Sequence, residues 1–118
     1  MVHHAFKAAL ALAGAVALSG CGDMITGGPL IRPGEPLGTI RVANATSYAL
    51  NIVAISNCSA STYGLNRLPS GMAIPVGGYY DFTVSAGCWD VNGGTFAAGD
   101  ARGRIQVQPG QVFTLRIY

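Results

Sequence analysis

Charge is scarce in this chain: Asp, Glu, Lys and Arg together make up 10% of its 118 residues. Beyond residue 7 there is neither histidine nor lysine, because His3, His4 and Lys7 are the only ones. If the start is cleaved, the mature chain lacks the side chains behind most general acid–base catalysis, nitrogen-ligated metal sites and Schiff-base chemistry. Its serines then have no familiar base to activate them. No two carboxylates stand at a telling spacing, and no glycine-rich loop opens a helix where phosphate could sit. The sequence therefore reads as a non-enzyme, with no catalytic residue, no metal ligand and no cofactor. From Cys21 onward six arginines face five acids, a net of 6 − 5 = +1, with no clustered basic face, which argues against nucleic acid as a partner. Long apolar runs are absent too: Ala8–Leu18 spans eleven residues, against the roughly 20 that a membrane-spanning helix needs.

What is present begins with that run. A short basic start, Met1–Lys7, precedes it and small residues follow it, which is the pattern of an export signal. The run ends at Leu18-Ser19-Gly20-Cys21, which resembles the lipobox of bacterial lipoproteins. The resemblance implies cleavage before Cys21, acylation of its thiol and residence in the bacterial cell envelope. Two or three acyl chains hold a protein firmly, at ~0.8 kcal/mol per buried methylene, whereas one alone holds it marginally. Gly22 stands where an aspartate would resemble an inner-membrane retention signal, so the outer membrane is favoured. A soluble secreted product with an incidental Cys21 is the alternative.

Three regions follow from this reading: a signal peptide over 1–20, the lipidated cysteine with a flexible linker over 21–36, and a folded domain over 37–118. The linker carries four glycines and three prolines between Gly22 and Pro36, and shows neither strand nor helix periodicity. Fully extended it would reach about 50 Å.

The domain is written in strands and turns. "GTIRVAN" and "YYDFTVSAG" alternate apolar with polar residues, and "YALNIVAIS" is apolar enough to lie mid-sheet. Strands are expected near 37–44, 48–56, 72–76, 79–86, 88–97, 104–108 and 111–117. Pro109-Gly110 between "RIQVQ" and "VFTLRIY" predicts a hairpin. Asn92-Gly93 is a turn signal, yet a long strand to about Ala97 with its turn near Gly99–Gly103 is preferred. The fold expected is all-β, a small antiparallel β-sandwich of six to seven strands. A domain this small is marginal on core burial alone. With Cys21 acylated, Cys58 and Cys88 are the two thiols left to pair in an oxidising envelope.

The stretches "ISNCSASTYGLNRLPSG" and "IPVGGYYDFTVSAGCWDV" resemble a family of small exported bacterial β-sandwich domains. The likeness runs through Tyr63, Gly64, Asn66 and Leu68 to Gly87, Cys88, Trp89 and Asp90, and covers about residues 40–118. The chain departs from that pattern with Tyr63 where tryptophan is usual, and with Val76-Gly77-Gly78 at the turn. The resemblance implies the fold and carries no activity.

The long Ser56–Gly71 loop suggests a binding patch of Tyr63, Asn66 and Arg67, joined by Tyr79 and Trp89 if the disulfide draws them near. Against it stands a packing role, with Tyr63 and Leu68 plugging one end, Asn66 capping a turn, Arg67 in solvent and Trp89 in the core. Asp90 is expected to accept backbone hydrogen bonds. The function expected is a membrane-anchored, non-catalytic binding or accessory module that contacts an envelope protein. The alternatives are glycan binding through exposed aromatics and a passive structural lipoprotein.

Overall fold

The computed structural model describes residues 27–60, 62, 64–95 and 99–118. Cys21 and the signal segment lie outside the described residues, as does Tyr63. The described residues form six strands: β1 Leu37–Asn44, β2 Ile52–Asn57, β3 Tyr79–Ser85, β4 Gly87–Thr95, β5 Gly99–Val107 and β6 Val112–Ile117. They build two three-stranded sheets, ordered β3-β1-β6 and β2-β4-β5. This is the expected all-β sandwich. Among the described residues no helix is long and apolar enough to cross a membrane.

Alternation decides which side of each strand is dry. In β1, Ile40 and Val42 point inward while Thr39 and Arg41 point out, and in β3 Phe82 and Val84 do the same against Asp81 and Thr83. Facing them across the core are Val53, Ile55, Trp89, Val91, Ile105 and Val107, with Leu50, Leu68 and Ile74 closing it from the loops. Gly93 and Gly103 also face inward, where the missing side chains leave room for Ile117 and Leu115 of the opposite sheet.

Among the described residues only β4 and β5 are consecutive strands in one sheet; the other connections between these six strands cross between sheets. The expected Pro109-Gly110 hairpin is therefore a correction. The turn exists, with Gln111 N–H donating to Gln108 O at 3.1 Å and Gly110 at φ +72°, which makes it type II. Type II turns splay their flanking strands instead of laying them side by side. So β5 stays beside β4, while β6 crosses over and pairs in parallel with β1, Thr39 opposite Val112. That pair is parallel, while the other three ladders are antiparallel, so the sandwich is antiparallel in the main, as expected. A comparable crossing joins β3 to β4 through Ala86, helped by Gly87 at φ +139°, which a side chain would resist.

Three further expectations change. Residues 72–76 are not a strand but a single bridge, Ile74 to Leu50. Gly99–Gly103 is strand, not turn, since Thr95 pairs with Gly99 and Asn92-Gly93 lies within β4; residues 96–98 lie outside the described residues. The linker does not run free to residue 36. From Gly27 onward it is a strap across the domain: Asn57 N–H donates to Gly27 O at 2.8 Å, Ser85 N–H to Leu30 O at 2.7 Å and Ala86 N–H to Pro36 O at 2.8 Å. Gly27 sits so close to Ser56 that an added Cβ would lie 2.5 Å from the serine Cβ. The strap stitches β2 of one sheet to β3 of the other, and Leu30 packs against the core.

Opposite the strap, Asn44 organises the far end. It is 2% exposed. Its Nδ2 donates to Tyr48 O at 2.6 Å and Ile74 O at 3.0 Å, and its Oδ1 accepts from Thr46 N at 2.9 Å. Asn44→Ala removes these three hydrogen bonds at once; Ile74 O keeps Leu50 N–H and Tyr48 O keeps the Thr46 hydroxyl, but Thr46 N–H loses its acceptor, for an expected loss of about 2–3 kcal/mol. A urea midpoint unchanged from the parent would contradict that assignment.

Candidate functional site

The 58–78 connection leaves the strap end at Cys58, which is disulfide-bonded to Cys88 with Cα atoms 5.6 Å apart. It returns along the otherwise open edge of β2, where Arg67 N–H donates to Val53 O at 2.6 Å and Leu50 exchanges backbone hydrogen bonds with Ile74. This covers an edge that would invite strand pairing. Asn66 is used up in the work: its Oδ1 accepts from Val53 N at 2.8 Å and Leu68 N at 3.2 Å, while its Nδ2 donates to Asn51 O at 3.0 Å. Leu68 reaches the core, 5% exposed.

Arg67 is half-buried, not in solvent. Its Nε donates to Ile55 O at 3.1 Å, and its Nη2 bonds the carbonyls of Ile55 and Gly28. Burial pushes its guanidinium pKa below the ordinary value. Thus Arg67 fastens the strap to β2 across the base of the loop.

Trp89 is a correction to the proposed binding set, because its ring is fully buried in β4. Its Nε1–H donates to Ser85 O at 2.8 Å, and the Arg32 guanidinium lies 4.9 Å from the ring centroid. A ligand cannot stack on it without opening the sandwich. Tyr79, by contrast, is 57% exposed. It belongs to the other sheet, where the Arg41 guanidinium covers its ring at 4.2 Å. The same Arg41 donates to Asp81 through Nε and Nη2 at 2.8 and 2.9 Å, and these bonds hold the Asp81 carboxyl below its usual pKa. Asp90 accepts from the Arg104 side chain at 2.8 and 3.0 Å rather than from backbone, another correction. Asn66 and Arg67 share a loop, then, but Tyr79 and Trp89 do not join them.

The structure gathers a different set of residues. Around Asn44, at the end opposite the strap, Tyr48, Val76, Tyr79 and Tyr118 are exposed by 57, 59, 57 and 84%. Backbone contacts hold them together: the 75–78 turn bonds Asn44 through Gly77 N–H and Gly78 O, Ala45 N–H donates to Ile117 O, and Tyr79 pairs with Ala43. This crown was missed because its members come from two loops and two strand ends, where alternation carries no signal. Beside it, Leu65 and Met72 flank a shallow groove of about 490 Å³ over Asn51 and Ile52. Among the described residues no three His, Cys, Asp or Glu side chains come together. Chemically, this end offers aromatic and aliphatic contact area with hydroxyl groups, a composition suited to adhesion.

No protein-family model matches the chain, and no curated protein matches it.

Proposed function

We propose that the chain is a lipid-anchored module of the bacterial cell envelope that grips a partner protein through the tyrosine-rich crown at its free end. The observation that carries this reading is the crown itself: four exposed apolar or aromatic side chains, Tyr48, Val76, Tyr79 and Tyr118, around one buried asparagine. Exposed groups of this kind, gathered at one end of a packed scaffold, mark contact sites on protein domains. The Leu18-Ser19-Gly20-Cys21 motif supplies the anchor in this reading, and it is supported by the strap, the segment nearest that motif among the described residues, lying at the end opposite the crown. Glycan binding through Tyr63, Tyr79 and Trp89 is less well supported, because Trp89 is buried and Tyr79 stands apart from the loop.

Two measurements test this. Cys21→Ser is expected to move the chain from the membrane fraction to the soluble fraction, and intact-mass analysis of the parent should show acyl chains on residue 21; an unmodified residue there ends the lipoprotein reading. A photo-crosslinking residue at Val76 should give one discrete adduct in living cells, and the same residue at Thr114, on the outer face of β6, should give none. Identical smears from both positions would remove the partner.

A further inference from the structure

We propose that the strap end of the sandwich rests in the lipid interface through Ile31, Leu37 and Val112, so that the crown is held facing away from the bilayer. This deepens the preceding proposal and rests on acylation at Cys21. The argument starts from contour length. Cys21 and Gly27 are six Cα steps apart, so residues 22–26 can span at most about 20 Å whatever their conformation. Gly27 itself is fixed at the strap end by Asn57, the last residue of β2. The nine residues of β4 run from that end to the crown, a distance of roughly 30 Å at ~3.3 Å per residue. A crown-down posture would need more chain than there is. The leash therefore allows the domain to stand on its strap end or lie on a side.

The surface chooses among these. Leu30 O accepts from Ser85 N and Arg32 N donates to Ser85 Oγ, which sets Ile31 beside Ser85. Ser85 pairs with Leu37, and Val112 pairs with Thr39 two residues along. The three therefore form a row across the outer margin of the first sheet, exposed by 51, 44 and 52%. Pro33, Pro36 and Pro109 are exposed on the same margin. Its charges are matched: Arg32 pairs with Glu35, and Arg41 in the next row with Asp81. The outer face of the second sheet instead carries Arg104 with Asp90, Arg102 and Gln106. An apolar row with balanced charge suits shallow insertion among neutral headgroups, without need of anionic lipid.

The test uses the full acylated chain in phosphatidylcholine vesicles, with and without bromine on the lipid tails. Single substitutions Val112→Trp and Leu37→Trp report on the margin and Val76→Trp on the crown, with the emission of buried Trp89 subtracted using the parent. Emission at 112 and 37 is expected to fall in the brominated vesicles and emission at 76 to stay unchanged, with the same result when anionic lipid is added. If mass analysis shows acylated Cys21 yet positions 37 and 112 are not quenched, or position 76 is quenched instead, the orientation is overturned and the anchor stands. If Cys21 is unmodified, both fall.

Discussion

Replacing Trp89 with alanine is expected to lower stability by about 3–5 kcal/mol, the range for removing a buried aromatic from a close-packed core. Trp89 is the largest fully buried side chain, and it sits mid-sheet between Asn57 of β2 and Ile105 of β5. Its loss would leave a cavity beneath the strap, take the donor from Ser85 O and remove the ring that Arg32 covers. A domain has a total of about 5–15 kcal/mol to lose, so the variant should unfold at far lower denaturant, with a melting temperature down by roughly 15–25 °C. Trp89→Phe separates the contributions: it keeps most of the packing and forfeits the indole donor, for about 1–2 kcal/mol. Guanidinium unfolding of the three chains checks this. Should Trp89→Ala melt with the parent, the ring is not holding the two sheets and the strap together.

The second large effect concerns the disulfide. Cys58 and Cys88 are separated by 30 residues, and cross-linking a loop of that size lowers the entropy of the unfolded chain by about 3.5 kcal/mol in the loop-closure model. The bond joins the start of the 58–78 connection to β4, next to Trp89, so it also holds in place the loop that covers the β2 edge. The double variant Cys58→Ala, Cys88→Ala is expected to lose about 2–4 kcal/mol. Removing both sulfurs avoids a lone thiol that could pair elsewhere. Denaturation with and without reductant is the check: reductant should destabilise the parent to near the level of the double variant and leave the double variant unmoved. Because Cys88 neighbours Trp89, losses at the two sites should not add. A reductant-insensitive parent would show that the bond does not form or does not matter.

Legibility in the sequence followed the range of the interaction. The alternation in "GTIRVAN" and "YYDFTVS" located β1 and β3 with nearly the right ends, because inside–outside periodicity is a property of neighbours two apart. Pro109-Gly110 gave the turn for the same reason, its backbone angles being local. Where β6 then goes was illegible: it depends on β1 lacking a second neighbour, which lies some seventy residues earlier in the chain. Asn92-Gly93 has the composition of a turn yet lies within β4, as the preferred reading had it, because Gly93 serves the opposite sheet, making room for Ile117 rather than bending the chain. The strap was hidden by its composition. Prolines and glycines read as a loose tether, yet Gly27 is needed because nothing larger fits against Ser56. Of the candidate site, Asn66 and Arg67 hold backbone, through carbonyls and amides that no residue pattern reveals.

The amino-acid order alone determined that this chain is all-β, that two cysteines are available to staple it, and that beyond residue 7 it has no histidine or lysine for chemistry. All three are set by side-chain type and nearest-neighbour pattern. Tertiary structure alone decided which strands share a sheet, that Trp89 is sealed inside, that the strap and the crown lie at opposite ends, and that Ile31, Leu37 and Val112 line up. Those outcomes come from packing two faces together across the core, where residues far apart in the chain compete for the same space and only the assembled whole shows which of them win.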